Sequence, residues 1–141
     1  MVEHSDRMLL DGGVSAPIPI EKTVTDGNRF HVIVLTRNAG YQKPSFKNTA
    51  ILKLVYRKYP KLVDALLNRH EVYNRQLRRC EQLASEGKAL IIRPQRPVEM
   101  ERTNRDIPSI LRVHDEGLGE GRKALERIRG QEVRLSREQE A

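Results

Sequence analysis

Asp11 is the carboxylate that the sequence most clearly marks for chemistry. It stands in Asp11-Gly12-Gly13, after the apolar residues 8–10 and before the proline-braced segment 16–20. Turn chemistry alone also selects Asp and Gly, so a plain tight turn with positive φ at the glycines is one interpretation. The other is a carboxylate that a strand brings to a sheet edge, where it acts as general base for a nucleophile. Both interpretations stay open on these residues alone.

Other reactive residue types lack the spacing that their chemistry needs. No His pairs with another His or with Cys80 at a metal-ligand spacing, so we expect neither a metal nor another cofactor. The lone Cys80 lies on an apolar helical stripe, which predicts a small buried hydrophobe rather than a catalytic thiol. The glycines at 117, 119 and 121 have no preceding strand and no following Lys-Ser/Thr, so they indicate a flexible helix boundary rather than a phosphate loop.

The positive charge is concentrated in the middle of the chain. The 141 residues carry a formal charge of +7, and residues 41–114 alone carry sixteen basic and seven acidic side chains. Such a block favours an anionic partner, although a solvated helix surface would have the same composition. Aromatic residues make up only 4%, with no Trp, which disfavours binding of single-stranded nucleic acid by base stacking.

The hydrophobic pattern predicts an α/β protein. Residues 29–36 form an apolar, β-branched run typical of a strand buried on both faces, and residues 88–93 predict a second such strand. Between them, one helix begins near Asn48 or Thr49, and a longer one begins at Pro60 and ends at Gly87. Two short helices are predicted around 107–113 and 124–128. We expect residues 1–129 to form part of one domain and residues 130–141 to form a polar, frayed or disordered tail.

Residues 8–20 and the strand after them resemble the second catalytic block of patatin-like acyl hydrolases. In that family the Asp of a Ser-Asp dyad lies in a strand-end Asp-Gly-Gly or Asp-Gly-Ala motif. Four later segments resemble the carboxyl-terminal half of bacterial patatin-like phospholipases, so that the resemblance covers about residues 6 to 129. They are Gly-Tyr-Gln-Lys-Pro at 40–44, Tyr-Arg-Lys-Tyr-Pro at 56–60, Arg-His-Glu-Val-Tyr-Asn at 69–74 and Ile-Ile-Arg-Pro at 91–94.

The resemblance implies a fold and a reaction. The fold would be the carboxyl-terminal portion of a three-layer α/β/α architecture with a few mainly parallel strands and basic helices. Asp11 would be the general base of the dyad, and Gly12 and Gly13 would allow the close approach that the reaction requires. The substrate would be a phospholipid or another acyl-ester lipid.

The nucleophile of such a dyad is missing from this sequence. In the family it lies in a Gly-x-Ser-x-Gly elbow that precedes the Asp, together with a Gly-rich oxyanion loop. Ser15 is not assigned to this role because Pro17 stands where the elbow needs Gly, and Ser85 lies at a helix end. We therefore expect a fragment or shortened reading frame that lacks the amino-terminal part of the fold and is inactive alone.

The basic helices predict a peripheral contact between a cytoplasmic protein and anionic headgroups at the inner membrane surface. The side chains expected at that contact are Lys53, Arg57, Lys58, Arg75, Arg78 and Arg79. The rival hypothesis is a non-enzymatic basic module that binds nucleic acid or an anionic membrane surface. Nucleic acid is the less favoured partner because no helix-turn-helix or RNA-binding signature is present. A third interpretation is an inert scaffold that kept the fold without the chemistry.

Overall fold

The computed structural model describes residues 2–98, 100 and 105–139, with residues 131–139 described by their backbone. These residues form two compact units. The first contains the chain up to Arg29 together with Gln42–Lys88, and the second contains Phe30–Tyr41 together with the chain from Ala89 onward. Helices and strands occur in both, so the predicted α/β class is confirmed. That residues 1–129 are the carboxyl-terminal part of a patatin-like domain stays a prediction.

The first unit opens with a β-hairpin that we did not predict. Strands β1 (Val2–His4) and β2 (Arg7–Leu9) pair antiparallel, and only Ser5 and Asp6 separate them. Both turn residues have positive φ, 49° and 61°, as a two-residue hairpin turn of type I′ requires. The sheet content is therefore one antiparallel and one parallel pair among the described strands, rather than mainly parallel.

Three helices complete the first unit: α1 (Ile20–Thr25), α2 (Thr49–Val55) and α3 (Pro60–Ser85). The predicted starts of α2 after Asn48 and of α3 at Pro60 are confirmed, whereas α1 was not predicted. The predicted end of α3 is also confirmed. Gly87 has a φ of 70°, its N–H donates to the Ala84 carbonyl, and the Lys88 N–H donates to the Leu83 carbonyl. These two bonds form a Schellman cap, which needs the left-handed conformation that Gly adopts without strain.

The core of the first unit is built around one face of α3. The buried apolar side chains of this unit are Ile18, Ile20, Leu52, Val63, Leu77, Cys80 and Leu83. Four of the seven belong to α3, at the spacing of a helix with one buried stripe. Helices α1 and α2 and the residues of the 3-10 turn that follows β2 all contact this helix.

The second unit contains the parallel pair β3 (His31–Val34) and β4 (Ala89–Ile92), with Val32 opposite Leu90. Both strands and their parallel pairing agree with the prediction. The predicted burial of the first strand on both faces is wrong, because His31 and Ile33 are buried while Val32 and Val34 are exposed. A continuous apolar run therefore does not by itself show that both faces of a strand are covered.

Helix α4 (Ile107–Gln139) packs against β4 and is one continuous element. The predicted break at the glycines 117, 119 and 121 is wrong, because the helix continues through them to Gln139. The disordered tail over 130–141 stays a prediction, and residues 140 and 141 lie outside the described part of the chain. Tertiary contacts flank the glycines. The Gln95 backbone N–H donates to Glu116 at 3.2 Å, the Gln95 side-chain amide donates to Glu120 at 2.9 Å, and Ala124 is buried. Such contacts offset a helix cost of about 1 kcal/mol for each Gly.

Candidate functional site

Asp11 lies where β2 gives way to a short 3-10 helix, Gly12–Val14, and it caps that helix. Its Oδ1 accepts a hydrogen bond from the Gly13 backbone N–H at 2.8 Å. The Asp11 side chain is exposed, and within the described residues this is the only hydrogen bond that its carboxylate makes. One carboxylate oxygen is thus bound to the backbone, and the other has no hydrogen-bond partner among the described residues.

Gly13 is the point at which Arg69 of α3 reaches this turn. The Arg69 Nε donates to the Gly13 carbonyl at 2.6 Å. A Cβ added to Gly13 would lie 3.3 Å from Oδ1 of Asp11 and 3.4 Å from Nη2 of Arg69, tighter than most such contacts. A side chain at Gly13 would therefore crowd the Asp11 carboxylate, while the close approach that the reaction requires at these glycines stays a prediction. A Cβ on Gly12 would meet nothing within 4 Å, and neither glycine has positive φ, so the predicted positive-φ turn is wrong.

Two further side chains of α3 hold backbone groups of the loops around Asp11. The buried Gln76 accepts from the Ile18 N–H through its Oε1 at 2.9 Å. Asn74 makes two hydrogen bonds with the Lys43 backbone. Its Oδ1 accepts from the Lys43 N–H at 2.8 Å, and its Nδ2 donates to the Lys43 carbonyl at 3.1 Å. Together with Arg69, these side chains tie three loop segments to one helix, and each supplies a partner that the loop lacks in its own backbone.

Ser15 is the hydroxyl closest in sequence to Asp11, and its Oγ donates to the Gly12 carbonyl at 3.2 Å. Ser85 donates to the Gln82 carbonyl at 2.8 Å at the end of α3. Both hydroxyl hydrogens are thus directed to backbone oxygens rather than to a carboxylate. Neither bond activates a Ser as a nucleophile, and the absence of the dyad's Ser from this chain stays a prediction.

Cys80 is fully buried on α3, as predicted. Burial raises the pKa of its thiol to about 11, so the thiol stays protonated and unreactive at neutral pH. The side chain therefore belongs to the core of the first unit.

The six cations expected at a headgroup contact belong to two different helices and the turn between them. Lys53, Arg57 and Lys58 are exposed on α2 and on the turn after it. Arg75 and Arg78 are exposed on α3, whereas Arg79 is half-buried and donates to Gln82 at 3.1 Å.

The exposed stripe of α3 mixes charges of both signs. Its charged members are Lys61, Asp64, Glu71, Arg75 and Arg78, and Glu86, just after the helix, forms an ion pair with Lys88 at 2.8 Å. Lys61 with Asp64, and Glu71 with Arg75, lie at the spacing of neighbours on a helix face, so each anion offsets a nearby cation and weakens the attraction of this stripe for an anionic surface. The α2 side has no such balance, because no Asp or Glu occurs between Asp26 and Asp64.

The family described as a domain of unknown function, DUF6363, matches residues 59–131. These 73 residues are just over half of the 141. The chain belongs to the DUF6363 family. The matched part contains α3, β4 and most of α4, and hence Arg69, Asn74 and Gln76; Asp11 and α2 precede it. No curated protein and no solved structure matches the chain.

Our sequence reasoning did not predict the hydrogen bonds by which the three α3 side chains hold the loops. Their partners lie 31 to 58 residues away along the chain. The available signal was local: Arg69, Asn74 and Gln76 are polar residues near or on an otherwise apolar stripe. A polar side chain that is half-buried or buried needs a hydrogen-bond partner, although the stripe alone does not say which.

Proposed function

We propose that this DUF6363 chain is the carboxyl-terminal part of a patatin-like lipid acyl hydrolase and that Asp11 is its general base. The observation that carries the proposal is the geometry at Asp11: one carboxylate oxygen bonded to the Gly13 N–H, and the Gly13 carbonyl bonded to Arg69. The resemblance of residues 8–20 to the second catalytic block of that family supports the same role. The three-layer α/β/α architecture is part of this proposal.

In the proposed reaction Asp11 accepts the proton of a Ser hydroxyl that the amino-terminal part of the fold supplies. The Ser oxygen bonds to the acyl carbon, the ester C–O bond breaks, and the leaving alcohol takes the proton from Asp11. Asp11 then accepts a proton from water, whose oxygen attacks the acyl-Ser ester. The fatty acid is released, and the proton returns to the Ser oxygen. Arg69 acts as a positioning residue because it touches the backbone of Gly13 and not the reacting atoms.

The genomic DNA directly upstream of the Met1 codon gives the first test. An in-frame Gly-x-Ser-x-Gly block behind a Gly-rich stretch would support the proposal. A stop codon directly before Met1 would contradict it.

The second test assays a short-chain p-nitrophenyl ester with the chain joined to that upstream segment. We expect Asp11→Asn to lower kcat by about 10²- to 10⁴-fold, because an amide cannot accept the Ser proton. Asp64→Asn, a change at an exposed carboxylate on α3, should leave kcat unchanged. Equal activity of the two variants would exclude Asp11 as the base, and robust turnover by the chain alone would show that it contains a nucleophile of its own.

A further inference from the structure

The segment formed by α2 and its flanking residues, 46–61, exposes an unusual amount of apolar surface; we call it the α2 segment. Ile51, Leu54 and Val55 are 60%, 71% and 65% exposed, and they lie at the i, i+3, i+4 spacing of one helix face. This helix buries only Leu52. The face that Ile51, Leu54 and Val55 form is therefore exposed.

Aromatic and cationic residues precede, interrupt and follow this apolar face in the sequence. Phe46 and Tyr59, at the two ends of the segment, are also exposed. The exposed cations of the segment are Lys47, Lys53, Arg57, Lys58 and Lys61. With no acidic residue between Asp26 and Asp64, nothing in the segment offsets their charge.

We propose that the α2 segment docks the protein on an anionic lipid bilayer. Ile51, Leu54 and Val55 would insert between the headgroups, while cations such as Lys53 and Arg57 stay at headgroup level and pair with phosphates. The charged and the apolar side chains contribute differently. Cations alone attract any polyanion, whereas an exposed aliphatic face is stabilised only when it leaves water.

Of the available anionic partners, a bilayer fits this surface best. Nucleic acid is bound through phosphates and base stacking, and it offers no apolar layer to three aliphatic side chains. Among the described residues no helix has the length and hydrophobicity needed to cross a bilayer. The proposed contact is accordingly peripheral. It does not require Asp11 to be catalytic, so the two proposals fail separately.

Vesicle flotation of the full chain tests this docking. We expect binding to phosphatidylcholine vesicles that contain phosphatidylglycerol, little binding to phosphatidylcholine alone, and weaker binding at high salt. The triple variant Lys53→Gln, Arg57→Gln, Lys58→Gln should weaken binding about 100-fold. The control variant Arg75→Gln, Arg78→Gln, which removes two cations from the α3 stripe, should bind like the parent chain. Equal losses of vesicle binding in both variants would contradict the assignment of the contact to the α2 segment.

The apolar contribution needs its own variant and its own control. Ile51→Ser, Leu54→Ser, Val55→Ser should weaken vesicle binding by about tenfold or more, whereas Leu111→Ser, Leu118→Ser on exposed positions of α4 should not. Circular dichroism checks that each variant is folded. The proposal would be overturned in favour of nucleic acid by one result: the chain binds duplex DNA as tightly as it binds vesicles, and the apolar triple variant binds DNA equally well.

A fluorescence reporter makes the insertion itself visible. The chain has no Trp, so Leu54→Trp introduces a single indole on the exposed face of α2. We expect its emission to shift to the blue with phosphatidylglycerol vesicles, as the ring leaves water. Leu111→Trp on α4 serves as control and should not shift. A shift at Leu111→Trp but not at Leu54→Trp would overturn the proposal.

Discussion

The loops around Asp11 and the α2 segment both contact α3, but the contacts are polar for the loops and apolar for the α2 segment. To the loops it offers polar side chains: Arg69, Asn74 and Gln76 bond to backbone groups and hold the chain in one path. From the α2 segment only Leu52 is buried, and three aliphatic side chains are exposed to solvent. The comparison separates residues that position the loops from residues that are available to a partner.

The largest effect on stability is expected when a buried Leu of the first unit, rather than an exposed one, is replaced. Leu83 is 3% exposed and Leu54 is 71% exposed. Leu83→Ala should lower the free energy of unfolding by about 2 to 5 kcal/mol, because it leaves a cavity in the core around α3. Leu54→Ala should change it by no more than about 0.5 kcal/mol. Urea unfolding followed by circular dichroism measures both.

A large loss of stability in Leu54→Ala would mean that the α2 face is covered in solution. That result would break the comparison between the two regions, since Ile51, Leu54 and Val55 would then belong to a packed interface.

A smaller effect is expected at the hydrogen bond between Gln76 and Ile18. Gln76→Leu removes the acceptor of the Ile18 N–H, and Ile18 is buried. The unpaired N–H should lower the free energy of unfolding by about 1 to 3 kcal/mol. Gln82→Leu on the exposed side of the same helix should cost no more than about 0.5 kcal/mol. Thermal unfolding of the two variants compares them directly. Equal stability of Gln76→Leu and the parent chain would show that α3 does not hold this loop.

Much of the fold could be predicted because its signals are local. Pro60 begins α3 and Gly87 ends it, since each residue type suits that backbone position. The two parallel strands follow from short β-branched runs bounded by turn residues. The turn at Asp11 was expected from its residue types, although it proved to be a capped 3-10 helix.

The rest depends on contacts between distant residues or on weak local preferences. The hairpin turn at Ser5 and Asp6 uses residues other than the Asn-Gly or Asp-Gly pairs that usually indicate type I′. The continuity of α4 across its glycines depends on Gln95, which lies outside the helix. The partners of Arg69 and Gln76 are set by how α3 packs, and no spacing in the sequence encodes them.

Hydrogen exchange at the Ile18 amide tests most directly the central claim that α3 side chains hold the chain around Asp11. This N–H has its acceptor on Gln76, 58 residues away, and not in a neighbouring strand or helix. We predict that NMR will find its exchange slowed on the order of 100-fold or more relative to an unprotected peptide, with the protection lost in Gln76→Leu. Exchange of the Ile18 amide in the parent chain at the unprotected rate would contradict the account.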